Sequence, residues 1–234
     1  MKQKIFTLFL ATGFLTGCGS LTGLPGSTGP VTEQEAVQGI RQALNKGVTT
    51  GISYLNKTDG FFGNQTYKLF FPPEARKIEN VMRDVGLGKT VDRAILQINR
   101  AAEDAVGYAA PIFTEAIREM TIQDAWNILK GEEDAAPRYF REKTTAKLTA
   151  AFNPIIQRSL DQLEATRHYS EIITAYNKLP TTFNKLNPDL PSYVTGKAVD
   201  ALFDQIAKEE ANIRANPRAR TTEILKKVFG SLGS

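Results

Sequence analysis

The sequence predicts an all-α fold, a single helical domain of about seven to nine helices, with a long kinked helix near residues 89–119. Three observations carry this. From Thr32 onward apolar residues recur at spacings of three and four, the period of a helix face. No stretch of four or more residues alternates apolar and polar as a half-buried strand does. The 234 residues are 41% hydrophobic and 23% charged, enough apolar material for a real core and an ordinary balance for a globular protein.

Thr32 with Glu35 forms a capping-box signature that opens a helix through about Leu55. Gly39, Gly47 and Gly51 recur along it, and because glycine lowers helix stability they predict close packing against a neighbouring helix. Residues 56–73 break the period, with Asp59-Gly60 and Gly63-Asn64 as turn signals. This stretch holds Phe61, Phe62, Tyr67, Phe70 and Phe71. It reads either as a lid over the core or as an exposed aromatic loop that touches a partner or lipid.

Glu74 to Val85 forms a short helix, with Gly86 suited to its C′ position. Next, Val91, Ile95, Ile98, Ala102, Ala105, Ala109, Ile112, Ala116 and Met120 trace one narrow seam of a long amphipathic helix. Pro111 falls within it and predicts the kink. Thr121 with Asp124 starts another helix that Gly131 ends, and Asp134 caps one that reaches about Phe152, with Pro137 in its first turn. Asn153-Pro154 reads as a fresh cap and first residue. Residues 155–163 and 170–179 stay helical in pattern, and 180–191, with three prolines, reads as a loop. Ser192 starts a helix to about Ala215, and Thr221 or Thr222 caps a last one ending at Gly230.

The first thirty residues follow another logic. Lys2 and Lys4 precede an apolar run, Ile5 to Leu15, of eleven residues. A helix that crosses a bilayer core needs about 20 residues, whereas a secretory signal needs no more than this. Leu15-Thr16-Gly17-Cys18 then matches the bacterial lipobox, in which small side chains admit the signal peptidase and the thiol receives the diacylglycerol. The expectation is therefore a lipoprotein signal peptide over residues 1–17, cleavage between Gly17 and Cys18, and lipidation of Cys18. Residues 18–31 are expected to be a flexible tether rich in Gly, Ser, Thr and Pro, and 32–234 the helical domain. Gly19 rather than Asp follows the cysteine, which favours the outer membrane, facing the periplasm of a Gram-negative cell. The membrane is thus a partner through lipid.

Removing Lys2 and Lys4 leaves 27 basic against 25 acidic side chains, a net charge of +2, too small to suggest nucleic-acid binding. One cysteine excludes an intramolecular disulfide and a cysteine-based zinc site. Gly86 to Thr90 resembles the end of a phosphate-binding loop, but position 83 is Arg83 where that loop needs glycine, and a helix rather than a strand precedes it. His168 is the only histidine, with no nucleophile elbow or second histidine ligand nearby. Glu132 to Asp134 is acidic but begins a helix, where negative charge is favoured. Neither a cofactor nor a metal is expected.

On a wheel of residues 192–215, Val194, Ala198, Leu202, Ile206 and Ile213 share a stripe, and Glu209 falls about 20° from Leu202 at 100° per residue. A carboxylate on a buried face needs a cation or several donors. The expected partner is a basic residue from another helix, with Arg141, Lys143, Lys147 and Arg220 as candidates, in a structural ion pair or a polar pocket.

Three stretches, 111–121, 128–144 and 193–230, resemble the domain of unknown function 4197 family, and weaker likeness runs back through 86–106. The resemblance implies one helical domain in an exported protein and supplies no catalytic residue. The polar residues within these stretches, Arg141, Lys143, Thr144, Tyr193, Lys197, Asp200, Glu209, Arg214 and Arg220, form the candidate polar surface. Glu210 with Arg214 reads as an ordinary pair one turn apart. The leading functional expectation is a non-enzymatic envelope lipoprotein that binds a protein, lipid or cell-wall partner. A carboxylate-dependent enzyme and a carrier of a small apolar ligand are the alternatives.

Overall fold

The computed structural model describes residues 29–132, 134–162, 169, 171, 173, 174, 177, 178 and 189–231. The fold is all-α, and no strand occurs among these residues. The helices are α1 (Glu33–Leu55), α2 (Arg76–Met82), α3 (Gly88–Val106), α4 (Ala110–Glu119), α5 (Ile122–Lys130), α6 (Ala135–Asp161), α7 (Leu190–Ala215) and α8 (Glu223–Gly230). Taken as uninterrupted rods they number six, slightly below expectation, because the helical segments from Pro73 to Glu119 run on from one another.

Both capping boxes form. Thr32 accepts from the Glu35 amide while the Glu35 carboxylate accepts from Thr32 N–H, and Thr121 with Asp124 repeats this at α5. Glu35 also receives Lys227 Nζ at 2.6 Å, and mainly for that reason its carboxyl is pulled down from 4.5 to about 2. That contact ties α1 to α8.

α1 and α7 pack along each other, α6 covers another side of α7, and α3 lies against α6 and α7. The remaining faces of α1 are taken by α4, α5 and α8. The glycines of α1 make the close approach possible. A Cβ at Gly39 would stand 2.7 Å from Val228 of α8, and one at Gly47 would stand 3.6 Å from the Ile206 carbonyl of α7. In the centre, Phe113 meets Phe140 edge-on at 4.8 Å and Phe203 at 6.1 Å.

The long helix kinks as expected. A 3₁₀ turn, Gly107–Ala109, separates α3 from α4, and Pro111 sits in the first turn of α4, where its missing N–H is tolerated. Gly86, at φ +87, occupies the left-handed region at the end of the wide turn that joins α2 to α3.

Pro154 departs from the expected boundary. It lies inside α6, which continues to Asp161. Its ring faces solvent, so the carbonyl it frees at Ala150 meets water, while Phe152, Ile156 and Leu160 keep one face buried. α7 begins two residues earlier than expected because Asp189 caps the amide of Ser192, which leaves Pro191 in the first turn. His168, Glu133, residues 180–188 and half of 170–179 lie outside the described residues. Among the described residues no helix is long and apolar enough to cross a membrane.

Candidate functional site

The aromatic stretch, residues 56–72, turns back over α3, and α3 holds it with two side chains. Asn99 is completely buried and brackets Leu69: its Oδ1 accepts from Leu69 N–H and its Nδ2 donates to the Leu69 carbonyl, both at 2.8 Å. One turn later the buried Glu103 accepts from the amides of Phe61 at 3.0 Å and Phe62 at 3.1 Å, and from Arg100 at 2.6 Å. Arg100 reaches on to Asp59, whose φ of 65 marks the tightest turn of the stretch. These bonds satisfy backbone groups that the loop itself leaves unpaired. Phe61, Tyr67, Leu69 and Phe71 are thereby buried, whereas Phe70 stays 51% exposed. The stretch is mainly a lid over the core, with one ring left outside.

Between this lid and α7 lies a groove of about 380 Å³. Tyr67, Lys68, Phe70 and Arg76 line one side, and Tyr193, Lys197, Asp200 and Asp204 the other. Its floor is a compact polar cluster. The Tyr67 hydroxyl donates to Asp204 at 2.5 Å and accepts from Gln205 at 2.6 Å and Lys208 at 2.8 Å. Lys208 also pairs with Asp204 at 2.8 Å. Burial, and then the bond to Asp204, pushes the Tyr67 phenol up. Burial alone would raise Asp204, but the bonds from Lys208 and Tyr67 outweigh it and hold the carboxyl low. Its bonds to Asp204 and Tyr67 push the Lys208 ammonium up. All three shifts move away from neutrality, so the cluster keeps one charge state across ordinary pH. A general acid or base works best with a pKa near the working pH. This cluster is therefore suited to rigid positioning, not proton transfer.

The candidate polar residues divide sharply. Tyr193, Lys197 and Asp200 line the groove, and Arg141 joins them by pairing with Asp200 at 3.0 Å and stacking over Phe203 at 4.6 Å. Burial first, then the Glu74 carboxylate, raises the Tyr193 phenol, with Arg76 opposing. Lys143 is exposed and, among the described residues, pairs with its neighbour Glu142 at 3.2 Å. Thr144 is fully buried and donates back to the Phe140 carbonyl at 2.7 Å, a bond internal to α6.

Glu209 pairs with a basic residue of another helix, as expected, but not with any of the four candidates: its partner is Lys46 of α1 at 3.3 Å, and its side chain is 15% exposed. The deeply buried carboxylate is Glu210, 3% exposed and bound by Arg214 Nε. At 100° per residue Glu210 lies about 40° to one side of Ile206, and Glu209 about 60° to the other, between the buried Ala198 and Leu202. The buried face is wider than the five-residue stripe and also includes Thr195, Val199, Ala201 and Phe203, which brings Glu210 onto it.

Arg214 and Arg220 are occupied with helix ends. Arg214 donates to the carbonyls of Ile128 at 2.6 Å and Leu129 at 3.3 Å, near the end of α5. Arg220 donates to Ile213 at 3.0 Å and Arg214 at 2.7 Å, at the end of α7. Arg41 does the same beside α4, reaching Arg118 at 3.2 Å and Met120 at 2.8 Å. Each cation meets carbonyls that a helix C-terminus leaves without partners, where the macrodipole favours positive charge.

The sequence reading missed Tyr67 in its polar role, Lys68, Arg76 and Asp204. Asn99 and Glu103, the anchors of the lid, carried a legible signal: two polar residues four apart, beside the apolar seam of α3. Gly17 and Cys18 lie outside the described residues. Among the described residues no group of three or more His, Cys, Asp or Glu side chains could hold a metal ion.

Fold and groove together define an all-α domain with a cleft that mixes rings and charges. The chain belongs to the family described as Protein of unknown function (DUF4197), which matches residues 30–230. No curated protein and no solved structure matches it.

Proposed function

We propose that this protein is an outer-membrane lipoprotein, anchored through Cys18 and facing the periplasm, whose helical domain is a non-enzymatic binding module. Its binding surface is the groove between the aromatic lid and α7. The groove is the observation that carries this reading. It is concave, its volume falls within the range of small-molecule sites, and its floor is held by partly buried hydrogen bonds. The lipobox at 15–18 and the glycine-rich tether support the anchor.

The two alternatives draw less support. Glu209, on which a carboxylate-dependent enzyme was to rest, faces Lys46 in a structural pair. The groove is lined by charged side chains as well as rings, unlike the apolar cavity of a carrier.

A photoreactive phenylalanine analogue placed at Phe70 tests the assignment in intact cells, with the same analogue at the exposed Tyr108 as the control. A discrete adduct from position 70 that is missing from position 108 is the expected result. Identical adducts from both positions, or none from position 70, would overturn it.

A further inference from the structure

Resting on the groove as the binding surface, we infer that its ligand is anionic, an oxyanion such as a phosphate, sulfonate or carboxylate joined to a flat apolar portion. The two carboxylates that line the groove are each matched by a cation, Asp200 by Arg141 at 3.0 Å and Asp204 by Lys208 at 2.8 Å. Three further cations, Lys68, Arg76 and Lys197, line it and form no ion pair among the described residues.

Two of the three rest against rings instead. Lys68 Nζ stands 4.1 Å from the centre of the Phe62 ring and 5.6 Å from that of Phe70, and Lys197 Nζ stands 5.8 Å from that of Tyr193. A ring attracts an ammonium weakly at an exposed site and accepts none of its hydrogen bonds in the way an oxyanion does. These cations therefore keep their capacity for an anion. The rings that support them, Phe70 of the lid and Tyr193 of α7, both line the groove, so it offers aromatic surface to a flat apolar group. Glu74 stands close enough to raise the Tyr193 phenol but does not line the groove.

At the floor, Tyr67 has spent its hydroxyl on Asp204, Gln205 and Lys208, and Asp204 Oδ2 and Asp200 Oδ1 already accept from cations. Five cations, Lys68, Arg76, Arg141, Lys197 and Lys208, stand in or beside the groove against two carboxylates, so its charge favours an anion.

Two fluorescent probes with related rings decide the matter on the full soluble domain: 8-anilinonaphthalene-1-sulfonate, which is anionic, and the uncharged N-phenyl-1-naphthylamine. Both are titrated against the wild type and against Arg76→Gln, Lys197→Gln and Phe70→Ala, all exposed positions. The sulfonate is expected to bind the wild type, and about tenfold more weakly in each charge variant, the loss of one charge-assisted contact. The neutral probe should bind those two variants as it binds the wild type, and Phe70→Ala should weaken both probes. Displacement of the sulfonate by 1-naphthyl phosphate would identify a soluble anion as a sufficient ligand. Sedimentation with phosphatidylglycerol vesicles, lost in Arg76→Gln and Lys197→Gln, would identify the anion as a lipid headgroup. If the charge variants bind the sulfonate unchanged while Phe70→Ala weakens both probes, the anionic class is overturned and the groove stands. If Phe70→Ala changes neither probe, the groove reading falls and this inference with it.

Discussion

At position 210 a carboxylate lies almost wholly inside the domain, and Arg214 makes that tolerable. The guanidinium neutralises Glu210 and closes the open carbonyls of Ile128 and Leu129 with its other nitrogens. Removing it takes the cation from a buried ion pair and opens two helix-end acceptors at once, which costs about 3–5 kcal/mol. Arg214→Ala is therefore expected to lower the melting temperature by about 10 °C, at roughly 2–4 °C per kcal/mol for a domain of this size. Glu209→Gln touches only a partly exposed pair with Lys46 and should cost less than about 1 kcal/mol. Thermal melts of the two variants side by side check this, and similar losses would show that the two carboxylates had been given the wrong roles. A sequence reading chose Glu209 because five apolar residues drew a stripe through it. The packing of α7 against both α1 and α6 widens that face until it also takes in Glu210.

For the elements, much was legible because the cause was local. Thr32 with Glu35 and Thr121 with Asp124 are decided within four residues, and both caps form where their spacing put them. The boundary at Pro154 was misread because the decision there is not local: the buried face of α6 outweighs one missing hydrogen bond. The glycines of α1 lie between these cases. Their spacing announced a close neighbour, but only geometry separates their roles. At Gly39 a methyl group would meet Val228 at 2.7 Å, so Gly39→Ala should destabilise by about 1–3 kcal/mol through overpacking. At Gly47 the nearest atom stands 3.6 Å away, an ordinary contact, so Gly47→Ala should stabilise by about 0.5–1 kcal/mol through its helix preference. Urea unfolding of both variants reads the two signs, and matching signs would contradict the packing described for α1.

Across the whole molecule, the groove shows what sequence order conceals. Arg141, Tyr193, Lys197 and Asp200 came to attention through a family resemblance. The other half of the groove lies more than a hundred residues from α7, with Tyr67, Lys68 and Phe70 in a stretch that reads as a lid and Arg76 at the start of α2. Nothing in the local pattern joins the two halves. They meet because Asn99 and Glu103 fold the lid down beside α7, and because Tyr67 reaches Asp204. The reading of this body as a module held at a membrane depends on Cys18. Mass spectrometry of the N-terminal peptide, from protein extracted out of the membrane fraction, tests that claim most directly. The account predicts a peptide that begins at Cys18 and carries three acyl chains. A peptide in which Cys18 is unmodified and still preceded by Gly17 would contradict it.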